Sequence, residues 1–163
     1  MSDAESPHAI NDRAWRHLSR MHQYLEGQLG RGLAAHGLSH PDYLVLTALD
    51  EDRDGRRRLV ELARDLGWEK SRTSHHVARM CARGLVAKST CPTDRRGTFV
   101  VLTDEGRRAR ALAAPDYLAD VTRLFLDAVT PVQLTALDTI ATTVLTRADG
   151  EVGDDSPARP SLR

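Results

Sequence analysis

The side chains best suited to chemistry in this sequence lie between residues 69 and 96. If the segment 69–83 forms a helix, one face of that helix carries hydroxyl, guanidinium and imidazole groups. These residues are Ser71, Arg72, Ser74, His75 and Arg79. Such groups form many hydrogen bonds, so the pattern favours binding a polar anionic partner.

Neither a catalytic site nor a metal site is predicted. The sequence has no glycine-rich phosphate loop, no nucleophile elbow and no carboxylate pair in an apolar setting. His75 and His76 are adjacent, about 100° apart on a helix, and therefore cannot share one metal as an i, i+4 pair can. Cys81 and Cys91 are expected to be free thiols. We expect a protein that is not an enzyme and has no cofactor.

Charge is distributed unevenly along the chain. The 163 residues include 23 Lys and Arg against 23 Asp and Glu, a net charge of zero. The segment 53–110 holds fifteen of the basic and seven of the acidic residues, so it carries about +8 and the flanks carry about −8. A basic segment between acidic ones indicates that one region meets a polyanion. The zero total excludes a uniformly basic nucleic-acid coat protein.

The sequence has no feature that predicts a membrane partner. No run reaches the roughly 18 apolar residues of a membrane span, and the N-terminus carries acidic residues where a secretory signal carries basic and then apolar ones. We therefore expect a cytoplasmic protein.

The elements that must position the polar face are mainly helices. Apolar residues recurring every three or four positions predict helices over 12–35, 43–49, 60–66, 69–83, 103–113, 116–128 and 131–148. Ser39 is expected to cap the second of them, and Pro115 to kink or interrupt the chain between the fifth and sixth. Strands are predicted over 85–89 and 98–102, joined by the turn CPTDRRG. The run 56–58, three arginines, is either an exposed basic turn or a phosphate contact.

The order of the middle elements predicts a winged helix-turn-helix. A short helix, a turn at Gly67, a helix with a polar face and a hairpin with arginines at its tip follow one another. The inward face of that second helix is predicted to be Thr73, Val77 and Met80, with His76 partly buried. Its outward face fits the DNA major groove, where arginine can bond guanine, and the hairpin can place an arginine in the minor groove.

The segment from Leu59 to Ala109 resembles the multiple antibiotic resistance regulator (MarR) family of bacterial transcription factors. Its sequence is LVELARDLGWEKSRTSHHVARMCARGLVAKSTCPTDRRGTFVVLTDEGRRA. The most specific part is the D-R-R wing tip followed by V-x-L-T-x-x-G at the start of the next helix. One long and one short helix before the segment, and two long helices after it, extend the resemblance over about residues 10 to 147.

The resemblance implies a mainly α fold with a small β-hairpin wing. A winged helix-turn-helix, about 38–112, would be flanked by dimerisation helices, about 10–36 and 116–147, within a single domain 10–148. The remaining segments are predicted to be a flexible N-terminus, 1–9, and a disordered tail, 149–163. The resemblance makes 69–83 the recognition helix, Asp94 a support for the wing, and Arg95 and Arg96 further DNA contacts.

The resemblance also implies a homodimer that represses transcription at a palindromic operator, with an effector pocket between the dimer helices and the winged module. Exposed apolar stripes on the terminal helices of so small a chain agree with pairing to a second copy. Trp15, His22 and Tyr43 either line a pocket for an aromatic or phenolic effector or simply pack at the dimer base. The alternative is a regulator that responds to a metal or to thiol oxidation, or that has no small-molecule effector.

Overall fold

A computed structural model of the chain describes residues 7–91 and 94–153, with side chains described for 10–89 and 98–148. Its elements are mainly helices with one small sheet, as predicted. In chain order they are α1 (Pro7–Ala34), α2 (His40–Asp50), β1 (Arg56–Arg58), α3 (Leu59–Asp65), α4 (Lys70–Ala82), β2 (Val86–Cys91), β3 (Asp94–Leu102), α5 (Asp104–Leu124), a 3-10 helix (Leu126–Ala128) and α6 (Pro131–Gly153). The chain forms two compact units, one ending at Val121 and one beginning at Thr122.

Both terminal helices are longer than the sequence predicts. Helix α1 begins at Pro7 rather than Asp12, and α6 ends at Gly153 rather than Ala148. The polar residues at these ends carry no apolar periodicity, whereas helix boundaries are set by backbone hydrogen bonds that any of them can make. Residues 1–6 and 154–163, which belong to the predicted flexible N-terminus and disordered tail, lie outside the described residues.

Helix α2 begins at a capping box. The Asp42 amide donates to Ser39 Oγ at 3.2 Å, and the Ser39 amide donates to the Asp42 carboxylate at 2.8 Å. Because these bonds satisfy amides that a helix start leaves unpaired, α2 begins at His40, three residues before the predicted Tyr43. The predicted cap at Ser39 is confirmed.

The core of the first unit is built on the apolar faces of α2, α3 and α4. Thr73, Val77 and Met80 of α4 are each 0% exposed, which confirms the predicted inward face. The apolar side chains around them come from every neighbouring element and include Leu33, Leu46, Leu49, Leu62, Leu85 and Val100. The core therefore fixes which side of α4 is left for a partner.

The sheet has three antiparallel strands in the order β1-β3-β2, so the wing hairpin gains a third strand. Arg57 pairs with Val100 in register, and Lys88 pairs with the same residue from the other side. Strand β1 was not predicted. Of the two alternatives given for 56–58, the exposed basic turn is wrong and the phosphate contact stays a prediction. Three consecutive arginines show no alternation of polar and apolar residues, so only pairing with β3 makes them a strand.

Close packing explains the V-x-L-T-x-x-G pattern that opens α5. The Thr103 hydroxyl lies 2.7 Å from the Gly84 carbonyl and 2.8 Å from the Leu85 carbonyl, and it accepts a 3.0 Å bond from the Gly106 amide. A Cβ on Gly106 would lie 2.0 Å from the Leu85 carbonyl oxygen, so this position tolerates only glycine. The pattern therefore holds the start of α5 against the turn that follows α4.

The predicted interruption at Pro115 is wrong, because α5 runs unbroken from Asp104 to Leu124. A proline inside a helix removes one backbone hydrogen bond. Anchors on both sides offset that loss: Ala113 is fully buried, and Tyr117 stacks on Tyr43 with ring centroids 4.3 Å apart. Packing has overridden the local preference.

The second unit is dominated by α6, which starts at a second capping box. The Gln133 amide donates to Thr130 Oγ1 at 3.3 Å, and the Thr130 amide donates to Gln133 Oε1 at 2.9 Å. Beyond this start the apolar side chains of Ile140, Val144 and Leu145 are more than 60% exposed. No single helix in the described ranges is long and apolar enough to cross a membrane, and α5 and α6 pass that test only together, as a bent pair.

Candidate nucleic-acid interface

Helix α4 presents the predicted polar face to solvent. Its buried side is set by the core residues, and its ends are Glu69 and Arg83 as caps. The predicted residues Ser71, Arg72, His75 and Arg79 are exposed, and Ser74 is half-buried at the edge of the face. The structure thus brings all five onto one exposed helix surface.

An aromatic ring just before α4 holds one of these side chains. The Arg72 guanidinium lies over the Trp68 ring, 4.8 Å from its centroid, a distance typical of a cation–π contact. Trp68 in turn meets the edge of His76, with ring centroids 5.5 Å apart at 82°. The sequence predicts only a turn at Gly67, so the contact of the next residue, Trp68, with Arg72 was missed.

A buried carboxylate ties α2 to α4. Asp42 is 2% exposed, and its Oδ2 accepts a 2.7 Å hydrogen bond from Arg83 Nη1. Its Oδ1 lies 3.0 Å from His76 Nε2, an electrostatic contact in which the ring N–H is not well aligned on the oxygen. Arg83 also donates from Nη2 to the Gly37 carbonyl, in the loop after α1. Asp42 and Arg83 together therefore connect the start of α2, the end of α4 and the loop after α1.

Asp42 remains ionised at this junction. Burial opposes ionisation, but contacts from His76, Arg83 and Ser39 outweigh burial and hold the pKa of the Asp42 carboxyl well below its usual range. This role of Asp42 was not predicted. No spacing rule links residues 42, 76 and 83, since only the tertiary fold brings them together.

His76 lies deeper than predicted, at 8% exposed, and also contacts a residue of the polar face. Its Nδ1 is 3.0 Å from Arg79 Nη2. A guanidinium only donates hydrogen bonds, so Nδ1 must be the acceptor. Arg79 is thus exposed and yet held by a buried partner.

A groove of about 690 Å³ lies beside this network. Its cationic groups are Arg79 and Arg83, and its apolar wall includes Ala34 and Leu38. The remaining lining residues are Gly30, Gly37, Ser39, Asp42 and His76.

The three residues proposed for an effector pocket do not line this groove. Trp15 is 67% exposed on α1, and the His22 side chain, also on α1, is 75% exposed. Tyr43 is 7% exposed in the core, where it stacks on Tyr117. In one protomer, Tyr43 therefore has a packing role.

Cationic side chains also lie at the base of the wing. The guanidinium groups of Arg56 and Arg58 lie 5.3 and 5.4 Å from the centre of the Phe99 ring. Arg57, between them, pairs with Asp65 of α3.

The wing-tip residues Asp94, Arg95 and Arg96 belong to β3 by their backbone, and their side chains lie outside the described part of the structure. Cys81 is a half-buried free thiol, and the side chain of Cys91 also lies outside the described part. Within the described ranges, no three His, Cys, Asp or Glu side chains are grouped so as to hold a metal ion.

Comparison with known proteins decides the family. A model of the MarR family matches residues 36–97. The transcriptional regulator HosA of Escherichia coli O111:H- is 32% identical over 107 residues, which are 66% of this chain and 76% of HosA. The chain belongs to the MarR family.

Solved structures of MarR family regulators agree along most of the chain. AbsC from Streptomyces coelicolor is 35% identical with a TM-score of 0.80, over 92% of this chain and 97% of AbsC. Sco3205 from the same organism, solved in complex with DNA, is 35% identical with a TM-score of 0.82, over 95% of this chain and 97% of Sco3205. CouR from Rhodococcus jostii RHA1, bound to p-coumaroyl-CoA, is 25% identical with a TM-score of 0.73, over 88% of this chain and 96% of CouR.

These findings confirm the predicted fold class, a mainly α winged helix-turn-helix, and the predicted function class. The protein is a DNA-binding transcriptional regulator of the MarR family rather than an enzyme.

Proposed function

We propose that the protein is a homodimeric repressor that reads a palindromic operator with α4 and is released by a small organic effector. The observation that carries this proposal is the exposed face of α4, on which Arg72 and Arg79 are held by buried or half-buried partners. Arginine donates two hydrogen bonds to guanine, and the serines and His75 reach base edges or phosphates. The DNA complex of the related Sco3205 supports DNA as the partner of this face.

The wing supplies a second contact in this proposal. Arg95 and Arg96 meet phosphates or enter the minor groove, with Asp94 orienting a neighbouring arginine, as the family resemblance implies. Arg56 and Arg58, stacked on Phe99 at the wing base, add positive charge to the same hairpin. A regulator of this kind acts where the chromosome is, so we propose the cytoplasm as its location.

The second copy is proposed from the apolar side chains that the protomer leaves exposed. On α1 they include Ile10, Trp15 and Leu18, and on α6 they include Ile140 and Val144. Repeated large apolar residues on terminal helices mark an interface, and the closed solution for identical chains is a two-fold dimer. Such a dimer spaces two copies of α4 for successive major grooves, about 34 Å apart.

The effector is proposed to be an organic anion with an aromatic body, bound in the groove. Arg79 and Arg83 offer cationic donors there, and Ala34 and Leu38 offer an apolar wall. The ligand-bound structure of the related CouR supports a small-molecule effector. Trp15 and His22 are exposed on α1, so a second copy would have to complete any pocket around them, whereas the groove is complete within one protomer.

Selection from a random duplex library, followed by sedimentation of the complex, tests the DNA-reading part. The expected product is a palindrome that binds two 18.0 kDa chains. A selected site without two-fold symmetry, bound by one chain, would contradict it.

Replacing a wall residue tests the effector part. A panel of hydroxybenzoates, hydroxycinnamates and their coenzyme A thioesters is titrated into the wild-type protein bound to its operator. Ala34→Phe fills the groove and should abolish release while leaving operator affinity within about twofold. Ala35→Phe, one residue outside the groove lining, is the matched control. Equal release from Ala34→Phe and the wild type would remove the groove from the proposal.

A further inference from the structure

The two arginines of the α4 face are fixed by one small cluster rather than separately. Arg72 lies on Trp68, the Trp68 ring meets His76, and His76 accepts a hydrogen bond from Arg79. Residues 72, 76 and 79 are spaced i, i+4 and i+7, so they follow one side of the helix. The buried member of that row is the imidazole of His76.

The contacts of His76 determine which nitrogen carries its proton. Nδ1 receives a hydrogen bond from Arg79, so in this arrangement Nδ1 has no hydrogen. The hydrogen of the neutral ring is then on Nε2, which faces Asp42 Oδ1 at 3.0 Å. Asp42 is itself held by Ser39 and Arg83, so the carboxylate selects the tautomer in which Nδ1 can accept.

We propose that His76 is a positioning residue for sequence reading: Asp42 fixes its Nε2–H tautomer so that Nδ1 holds the Arg79 guanidinium in place before DNA arrives. The proposal rests on the proposed role of Arg79 at the operator. A free arginine loses much rotamer freedom when it docks on a base, and a side chain already fixed loses less. The bond to His76 uses one of five N–H donors, so the others remain for DNA.

Two amide substitutions separate the two nitrogens. His76→Asn places an acceptor near the position of Nδ1 and keeps the bond to Arg79, whereas His76→Gln places its amide near Nε2 and keeps only the contact with Asp42. Discrimination is measured as the ratio of Kd values for the selected operator and for duplexes changed at one base pair per half-site. We expect Arg79→Ala to lower this ratio roughly tenfold, His76→Gln to lower it nearly as much, and His76→Asn to retain most of it.

A double variant shows whether His76 affects discrimination through Arg79. His76→Gln combined with Arg79→Ala should lose no more discrimination than Arg79→Ala alone, because the positioned group is already absent. Thermal unfolding of each variant shows whether it is folded at the temperature of the binding measurement. If His76→Asn and His76→Gln behave alike while Arg79→Ala loses discrimination, the positioning role is wrong and the proposed function stands. If Arg79→Ala leaves discrimination unchanged, the DNA contact by Arg79 is itself wrong, and the positioning role is wrong with it.

A spectroscopic measurement on the wild-type protein tests the tautomer of His76 directly. Long-range nitrogen–proton correlation on the full chain with 15N-labelled histidine reports where the ring proton lies. At neutral pH, His76 should show a protonated Nε2 and an unprotonated Nδ1, and Asp42→Asn should weaken that preference. A proton on Nδ1 in the wild-type protein would overturn the inference, because that nitrogen could not accept from Arg79.

Discussion

Helices α4 and α6 differ in whether their outward-facing side chains find partners within one protomer. On α4, polar side chains that point away from the core still have partners: Arg72 lies on Trp68, and Arg79 bonds His76. On α6, large apolar side chains such as Val144 point into solvent beyond the capped start of the helix. Held polar groups indicate a surface already organised for a ligand. Exposed apolar groups indicate a surface that a second chain must cover.

The largest effect is expected on dimer formation, from a change to the exposed apolar side chains of α6. Val144→Glu places a charge on the apolar stripe of α6, and desolvating that charge in an interface is costly. We expect sedimentation at micromolar concentration to give the mass of one 18.0 kDa chain, and operator affinity to fall about 100-fold because two half-sites are no longer held together. Thr142→Glu, about 200° around the helix, is the matched control and should remain dimeric. A dimeric Val144→Glu variant would remove this part of α6 from the interface.

The next effect concerns the stability that the contacts of Asp42 with α4 contribute. Asp42→Asn removes the charge that Arg83 and His76 face. The Arg83 side chain is 43% exposed, so we expect the loss of unfolding free energy to be about 1–3 kcal/mol, less than a fully buried ion pair would cost. Chemical denaturation at neutral pH measures the loss. Asp116→Asn, which removes an exposed partner of His36, is the control and should cost under about 1 kcal/mol.

Asp42 should also leave a signature in acid. Its pKa is lower in the folded chain than the value of about 3.9 in the unfolded chain, so its stabilising contribution is complete above that value. The contribution is lost as the pH falls below about 4 toward the folded pKa. Asp42→Asn should therefore lack this part of the acid loss, and identical acid curves would show that the carboxylate is not held as described.

The contrast between the helices also separates what the sequence could predict from what it could not. The inward face of α4, the cap at Ser39 and the wing hairpin follow local rules of periodicity and turn chemistry. Strand β1 and the continuity of α5 through Pro115 depend on partners far along the chain, β3 for the first and Tyr43 for the second. Local patterns therefore predict elements well and long-range pairings poorly.

The residues of the predicted site also divide into those that local spacing reveals and those that only long-range contacts reveal. Residues of the polar face were found because their side chains share a helix surface, which spacing alone reveals. The contacts of Trp68 and Asp42 with that helix, and the bond between Arg83 and Asp42, were missed because they arise only after folding. Tyr43 was proposed for an effector pocket on residue type, but burial among core residues gives it a packing role in the protomer.

A smaller effect, on base preference, tests whether Arg72 on the polar face of α4 contacts a base. Arg72→Ala should weaken binding to the selected operator by roughly 1 to 3 kcal/mol and relax the preference at one base pair per half-site. Lys70→Ala, which removes an equal charge from the first turn of α4, should weaken all duplexes alike. Binding of both variants to a panel of operator variants distinguishes them, and loss of affinity without loss of preference for Arg72→Ala would make it a phosphate contact.

The wing is expected to contribute affinity rather than preference. Arg96→Ala should weaken the selected and scrambled duplexes by similar factors and lower the slope of log K against log salt by about one unit per chain. Titrations of both duplexes at three salt concentrations measure this. An unchanged slope would show that the arginine at the wing tip stays in solvent and that α4 acts without it.

The smallest expected effect tests whether His40, the first residue of α2, is shielded from water in the folded chain. Burial lowers the pKa of His40, with Glu26 opposing the shift and His22 adding to it. Its Nδ1 has no hydrogen-bond partner among the described residues, and Nε2 lies 3.5 Å from the Tyr117 hydroxyl.

Since the folded pKa of His40 lies below the unfolded value of about 6.5, the neutral ring is favoured in the fold. Stability from this group is complete above that pH and declines as the pH falls below it. Denaturation midpoints at pH 7.5, 6.5 and 5.5 should therefore fall more for the wild type than for His40→Gln, with His17→Gln on exposed α1 as the control. The difference should be slight because the imidazole is only half-buried. Parallel curves for the wild type and His40→Gln would mean that water reaches the His40 ring. Shielding from water would then be limited to the contacts of Asp42.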